Sequence, residues 1–275
     1  MVRRILALLA VLLVTGCSAT RFAYNNADVF LRWQAGRYLD VHGEQSEELD
    51  ARIAAFLAWH RKNALPEYSR LAAQAAEKMA RGLSQQDLVW GYDSVQAQLR
   101  EAARAAGGEI AGLLDRMNAE QIEHLERRFA EDNRKFAKEH LSGTADERRG
   151  RRLKRNLERL EEWFGALSDV QVERVRQYSV RAPFTEEFRD LERRRLQAEF
   201  VAMLRVREAS ARLADWAWHW DRGRDPAHAA AARTHRMEFF RMLVDLDRTL
   251  SPAQRRAAEA RLRELASEFG QLSRK

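Results

Sequence analysis

LSPAQRRAAEARLRELASEFGQL, residues 250–272, decides the fold class. Ser251 stands where its hydroxyl accepts from a free first-turn amide, and Gln254, three residues on, reaches back. Pro252 occupies the first helical position, where no amide is lost. Behind this start, Ala258, Leu262, Leu265, Phe269 and Leu272 keep an alternating four-three spacing, which is one apolar stripe of a helix. The chain repeats the device. Leu83-Ser84-Gln85-Gln86-Asp87, Met117-Asn118-Ala119-Glu120-Gln121 and Leu167-Ser168-Asp169-Val170-Gln171 each open a helix. A degenerate copy stands at Val41-His42-Gly43-Glu44-Gln45. The leading Leu or Met staples to Leu88, Ile122 or Val172. Each cap contributes about 1 kcal/mol.

Stripes of the same kind run through Leu153, Leu157, Leu160, Phe164 and Leu167, and through Ile122, Leu125, Phe129 and Phe136. A helix is expected over 27–39. Another starts near Gly43, is broken or kinked by Pro66, resumes to Arg81 and ends on Gly82 in a left-handed cap. Gly107 and Gly108 interrupt the next as a bend or a turn. A long helix is expected over 185–220, with Phe188, Leu191, Phe200, Leu204 and Leu213 in the core. Asp225 and Pro226 cap a helix reaching Leu250. With 32% charged residues, four prolines and no alternating run of β type, the reading is all-α. The expected architecture is an elongated antiparallel helical bundle of about eight helices over 28–275, in one domain or in two sub-bundles divided near 142–146.

At the N-terminus, Arg3 and Arg4 precede an apolar run over 5–14, shorter than the ~20 residues a spanning helix needs. Val14-Thr15-Gly16-Cys17 resembles the lipobox of bacterial lipoproteins. That resemblance implies cleavage between Gly16 and Cys17, a diacylglyceryl group on the Cys17 sulfur, and a third acyl chain, such as palmitate, on the new amine. Three chains anchor almost permanently, because each buried methylene contributes about 0.8 kcal/mol. Residues 1–16 are then a signal peptide and 17–27 a lipidated tether. Ser18, not Asp, after the cysteine implies the outer membrane, facing the periplasm. Cys17 is the only cysteine, so no disulfide within the chain is available. Loss of Arg3 and Arg4 leaves 46 basic and 41 acidic residues, a net +5. A pI of 9.9 invites nucleic acid as a partner. The export signal argues against it, and the cations are interleaved with acids at helical spacing.

Two wider resemblances rest on named residues. Tyr24-Asn25-Asn26-Ala27-Asp28, Arg32-Trp33, and the stretch Trp59-His60-Arg61 to Leu65-Pro66-Glu67-Tyr68, together with the lipobox, resemble an uncharacterised family of bacterial lipoproteins of similar length. This implies a helical envelope lipoprotein and no particular reaction. The L-S-x-x-Q starts are similar to the L-T-x-x-Q motif of Spy-like and CpxP-like periplasmic proteins, all-helical stress proteins that include chaperones. This chain is about twice their length, carries Ser where they favour Thr, and has an anchor they lack.

No catalytic residue is assigned. Cys17 is committed to lipid, no serine sits in a nucleophile elbow, and carboxylate pairs recur on every charged helix. None of the seven histidines (His42, His60, His124, His140, His219, His228, His235) follows a Glu by three positions, and no two lie four apart. No metal or cofactor is therefore expected. Arg148, Arg149, Arg151, Arg152, Lys154 and Arg155, with Arg193, Arg194 and Arg195, form a candidate surface for anionic lipid or acidic clients. The same run also reads as a solvated helix face beside Glu158, Glu161 and Glu162. Trp216, Trp218 and Trp220 alternate by two, so they do not share one face. The expectation is a non-enzymatic envelope lipoprotein, binding or chaperone-like, held to the membrane through Cys17. The alternative is a structural subunit with one specific envelope partner.

Overall fold

The structure, a computed structural model, describes residues 17–274. The signal segment and Gly16 lie outside them. Eleven helices and no strand occur among the described residues. They are α1 (Cys17–Asn25), α2 (Ala27–Leu39), α3 (44–81), α4 (Gln85–Leu114), α5 (119–141), α6 (Ala145–Phe164), α7 (Asp169–Arg181), α8 (Glu186–Arg205), α9 (Ala209–Trp218), α10 (Pro226–Asp247) and α11 (Pro252–Leu272). The all-α reading holds, with more and shorter helices than the eight expected.

The helix starts form as their sequences dictate. Ser84 with Asp87, Asn118 with Gln121, Ser168 with Gln171 and Ser251 with Gln254 are all complete capping boxes. Thr144 with Glu147 is a fifth, at the turn read as a linker. The glutamines do more than cap. The Gln121 amide donates to Asp40 O (3.0 Å) and to Gln45 Oε1 (2.7 Å). That of Gln171 donates to Thr249 O (3.1 Å) and pairs with Gln254. Gln254 in turn donates to Ala166 O (2.9 Å). The starts of α7 and α11 are thus tied to each other, and that of α5 to the Gly43 start of α3.

Three apolar clusters fill the interior. One joins α2 to α5 with α8 and α9 around Tyr38, Leu49, Leu125, Leu204 and Leu213. A second joins α6, α7, α10 and α11 around Leu160, Val175, Leu246 and Ala258, with Met79 of α3. The third is small and holds Tyr24 of α1 against Leu65, Leu265, Phe269 and Leu272. The first two draw on residues from both sides of the 142–146 turn. Helices α3 and α11 run antiparallel, with the Ser69 hydroxyl on Ala266 O at 2.6 Å and Arg255 on Met79 O at 2.8 Å.

Several expectations are corrected. The 17–27 stretch is helix, not tether: α1 docks on α11 because Tyr24 has a cluster to enter. The 185–220 helix is two. Arg207 turns left-handed (φ 57°), and Asp115, at the end of α4, accepts from the amides of Ala209 (2.6 Å) and Ser210 (2.9 Å). A carboxylate from elsewhere in the chain therefore caps α9. Leu191 is exposed rather than core. Gly107 and Gly108 do not interrupt α4. A Cβ on Gly107 would stand 3.3 Å from Leu213 Cγ and 3.4 Å from its carbonyl oxygen, so the glycine is there for the close approach of α9. Pro66 does not break α3. It cannot donate to the carbonyl four residues back and its ring crowds it. The ladder widens one turn earlier into a π-helical turn, His60–Ala64, in which Leu65 N–H reaches His60 O.

Candidate ligand-binding groove

Helix α4 carries a run of small side chains, Ala102, Ala103, Ala106 and Gly107, at i, i+1, i+4 and i+5. These positions share one face, and that face is therefore recessed. Opposite it stand Phe30, Leu31 and Tyr38 of α2, Ile53, Phe56 and Leu57 of α3, and Leu213 and Trp216 of α9. Large residues on three helices facing small ones on the fourth leave an apolar groove of about 260 Å³. Phe200 and Trp216 stack beside it, centroids 5.9 Å apart, and the indole N–H is taken up by Glu199 at 2.9 Å. The Trp216 ring therefore presents hydrocarbon without an unsatisfied donor. The walls are almost wholly carbon, and water gains few partners there. Sites for small ligands begin at about 300 Å³, so this groove suits a slim apolar chain.

Polar side chains among the lining residues are few and include Tyr24, Gln34, Arg52, His60 and Glu109. Gln34 Oε1 is buried without a hydrogen-bond partner. At the α1 end, the Tyr24 hydroxyl meets His60 Nδ1 at 3.1 Å. His60 is the first residue of the π-helical turn, a local distortion often found at functional sites. It is 4% exposed and surrounded by rings: Phe56 at 5.8 Å, Tyr68 at 5.4 Å and Tyr24 at 5.7 Å. Arg61 lies over the Tyr24 ring at 5.5 Å. Burial drives each group toward its neutral form. The Tyr24 hydroxyl is pushed up to about 12, with Arg61 pulling weakly the other way. The Tyr68 hydroxyl is pushed up further still. His60 falls from 6.5 to about 4.

That last shift sets a pH dependence. Between about pH 6.5 and pH 4 the unfolded chain binds a proton at His60 that the folded chain refuses, so stability is whole above this window and is lost as pH falls through it. His60→Gln, neutral throughout, is expected to flatten part of the fall in melting temperature between about pH 7 and about pH 4.5. Parent and variant falling in parallel would contradict the assignment.

The structure scatters the candidate basic surface. Arg152 is 4% exposed and turned inward, donating to Ala182 O at 2.6 Å. Arg148 pairs with Glu186 and Glu187. Both lie over the Phe184 ring, at 4.7 Å and 4.2 Å. Arg149 pairs with Asp146, Arg151 donates to Ser142 O, and Lys154 reaches Glu158. Arg155 faces solvent. Arg193 and Arg194 share Asp190, and Arg195 holds Glu192 and Glu199. The run is mostly internal pairing. Trp216 enters the groove, while Trp220 lies under Arg100 at 5.2 Å. Of the residues singled out in the sequence, Tyr24, Ala27, His60, Gly107, Phe200, Leu213 and Trp216 line the groove, none of them through an assigned chemical role. The signal that marks the groove is the small-residue run on α4.

A family model described as a family of unknown function, DUF6279, matches residues 37–217. That span contains the lining residues of α3, α4 and α9, Tyr38 and Leu39 of α2, and Phe200 of α8. No curated protein and no solved structure matches the chain.

Proposed function

We propose that this chain, which belongs to the DUF6279 family, is a lipid-anchored binding protein of the bacterial envelope, chaperone-like, whose groove holds an apolar segment of its client. The observation that carries the reading is the groove itself: a carbon-walled recess opposite the small face of α4. Contiguous apolar surface on a soluble monomer usually marks an interaction site. The anchor is the acyl group expected on Cys17 after cleavage at Gly16, with the outer membrane as the expected address. The working chemistry is desolvation of hydrocarbon, which requires no covalent step and no cofactor.

The test is light scattering of a denatured, aggregating client with the chain from residue 17, its cysteine replaced by Cys17→Ser. Suppression at equal ratios supports the reading. The Ala106→Phe variant, which places a ring in the recess, is expected to abolish it. Added salt should change little, because the wall surface is almost wholly apolar. Failure with several clients would favour a single specific envelope partner, to be sought by crosslinking in cells. The anchor is checked separately: Cys17→Ala should leave an uncleaved or mislocalised precursor, and a mature, acylated variant would overturn it.

A further inference from the structure

A helix at the edge of a fold normally has one apolar stripe, turned to the core. The α1–α2 pair has two. Its inner side buries Tyr24, Ala27 and Tyr38. Its outer side leaves Phe22 at 71%, Val29 at 57% and Trp33 at 57% exposure. These three are spaced seven and four apart, and the helical ladder passes across the junction: Asn26 N–H reaches Phe22 O and Phe30 N–H reaches Asn26 O, both at 3.2 Å. Both helices therefore share one outer face. Between the apolar groups that face shows Asn25, Asn26 and Arg32, the last paired with Asp50. Arg37 lies over the Trp33 ring at 5.6 Å, the amphipathic combination that suits a boundary between hydrocarbon and water.

We propose that this outer face rests on the lipid bilayer, with Phe22, Val29 and Trp33 entering the boundary between headgroups and acyl chains. The inference rests on the Cys17 anchor of the preceding section. The acylated residue begins α1, and Phe22 follows five residues later, about 8 Å along a helix. No other described part of the chain lies so close in sequence to the lipid. A helix bound in the plane of the interface buries its apolar face there. Because the inner face of α2 forms one wall of the groove, docking would hold the groove beside the membrane, where apolar envelope segments emerge.

Vesicle co-sedimentation separates this from lipid anchoring. The probe is the chain from residue 17 carrying Cys17→Ser, mixed with vesicles of phosphatidylethanolamine and phosphatidylglycerol. The parent is expected to sediment with the vesicles, and the pair Phe22→Ser, Trp33→Ser to lose at least about tenfold in affinity with an unchanged melting temperature, since both side chains face solvent. An environment-sensitive fluorophore on Val29→Cys should shift to the blue on vesicles, and one on Arg155→Cys should not. A parent that stays in the supernatant, or a double variant that binds equally, overturns the proposal. So does a parent dimer that the double variant makes monomeric, because a second copy would then cover the face. The Ala106→Phe variant should bind vesicles like the parent. Client binding retained by that variant would sink the groove reading alone, whereas its loss with docking retained would support both.

Discussion

Arg152→Met is expected to lower the unfolding free energy by about 3 kcal/mol or more, although arginine on a charged helix reads as a surface residue. Its guanidinium closes the end of α7. It donates to Ala182 O at 2.6 Å, Pro183 O at 3.3 Å and Ser179 O at 3.4 Å, and stands 3.8 Å from Glu186. Burial lowers its pKa, Glu186 acts in the other direction, and arginine stays charged throughout. Methionine would fill much of the volume but leave the carbonyls and part of Glu186 buried and unpaired, the costly half of a broken buried pair. Lys154→Met, on the outer side of the same run, should cost under about 0.5 kcal/mol. Denaturant midpoints of the two variants measure the difference. Equal small effects would place Arg152 at the surface and restore the basic patch as a partner site.

Leu204→Ala is the second large effect, about 2–5 kcal/mol, against almost nothing for Leu191→Ala. Both leucines belong to α8 and both fit an apolar stripe. Leu204 is buried in the cluster shared with Leu125 and Leu213. Leu191 is exposed. Truncation of the first removes burial and leaves a void that packed neighbours fill only in part. Truncation of the second removes a solvated methyl pair. Thermal melts of both variants, read against the parent, decide it. A destabilised Leu191→Ala would mean that α8 is rotated relative to its placement here.

This pair shows where sequence reading stops. Local chemistry was legible: Ser84, Asn118, Ser168 and Ser251 cap as their spacing requires, and the all-α class follows from the stripes behind them. What a capping glutamine does with its remaining amide protons depends on distant partners, so the tie between Gln171 and Gln254 was not legible. The same holds for the break between α8 and α9, which Asp115 caps from 94 residues away. Thr144 and Glu147 carried a visible box signature, obscured because the surrounding Ser and Gly read as a linker. The Arg148–Arg155 run showed its charge but not its inward turn, which depends on where the α7 carbonyls end. The groove had a signal in the Ala102–Gly107 run. Small residues on a helix read equally well as a bend, and only the large side chains facing them make a recess.

Direct titration of the groove tests the account most closely. A polarity-sensitive apolar dye would be added to the unlipidated chain and to Ala106→Phe, with melting temperatures measured beside it. The parent should bind saturably at one site, and the variant, folded and at least as stable, should lose at least about tenfold in affinity. Equal binding by the two proteins, or no saturable binding by the parent, would contradict the groove as the working site.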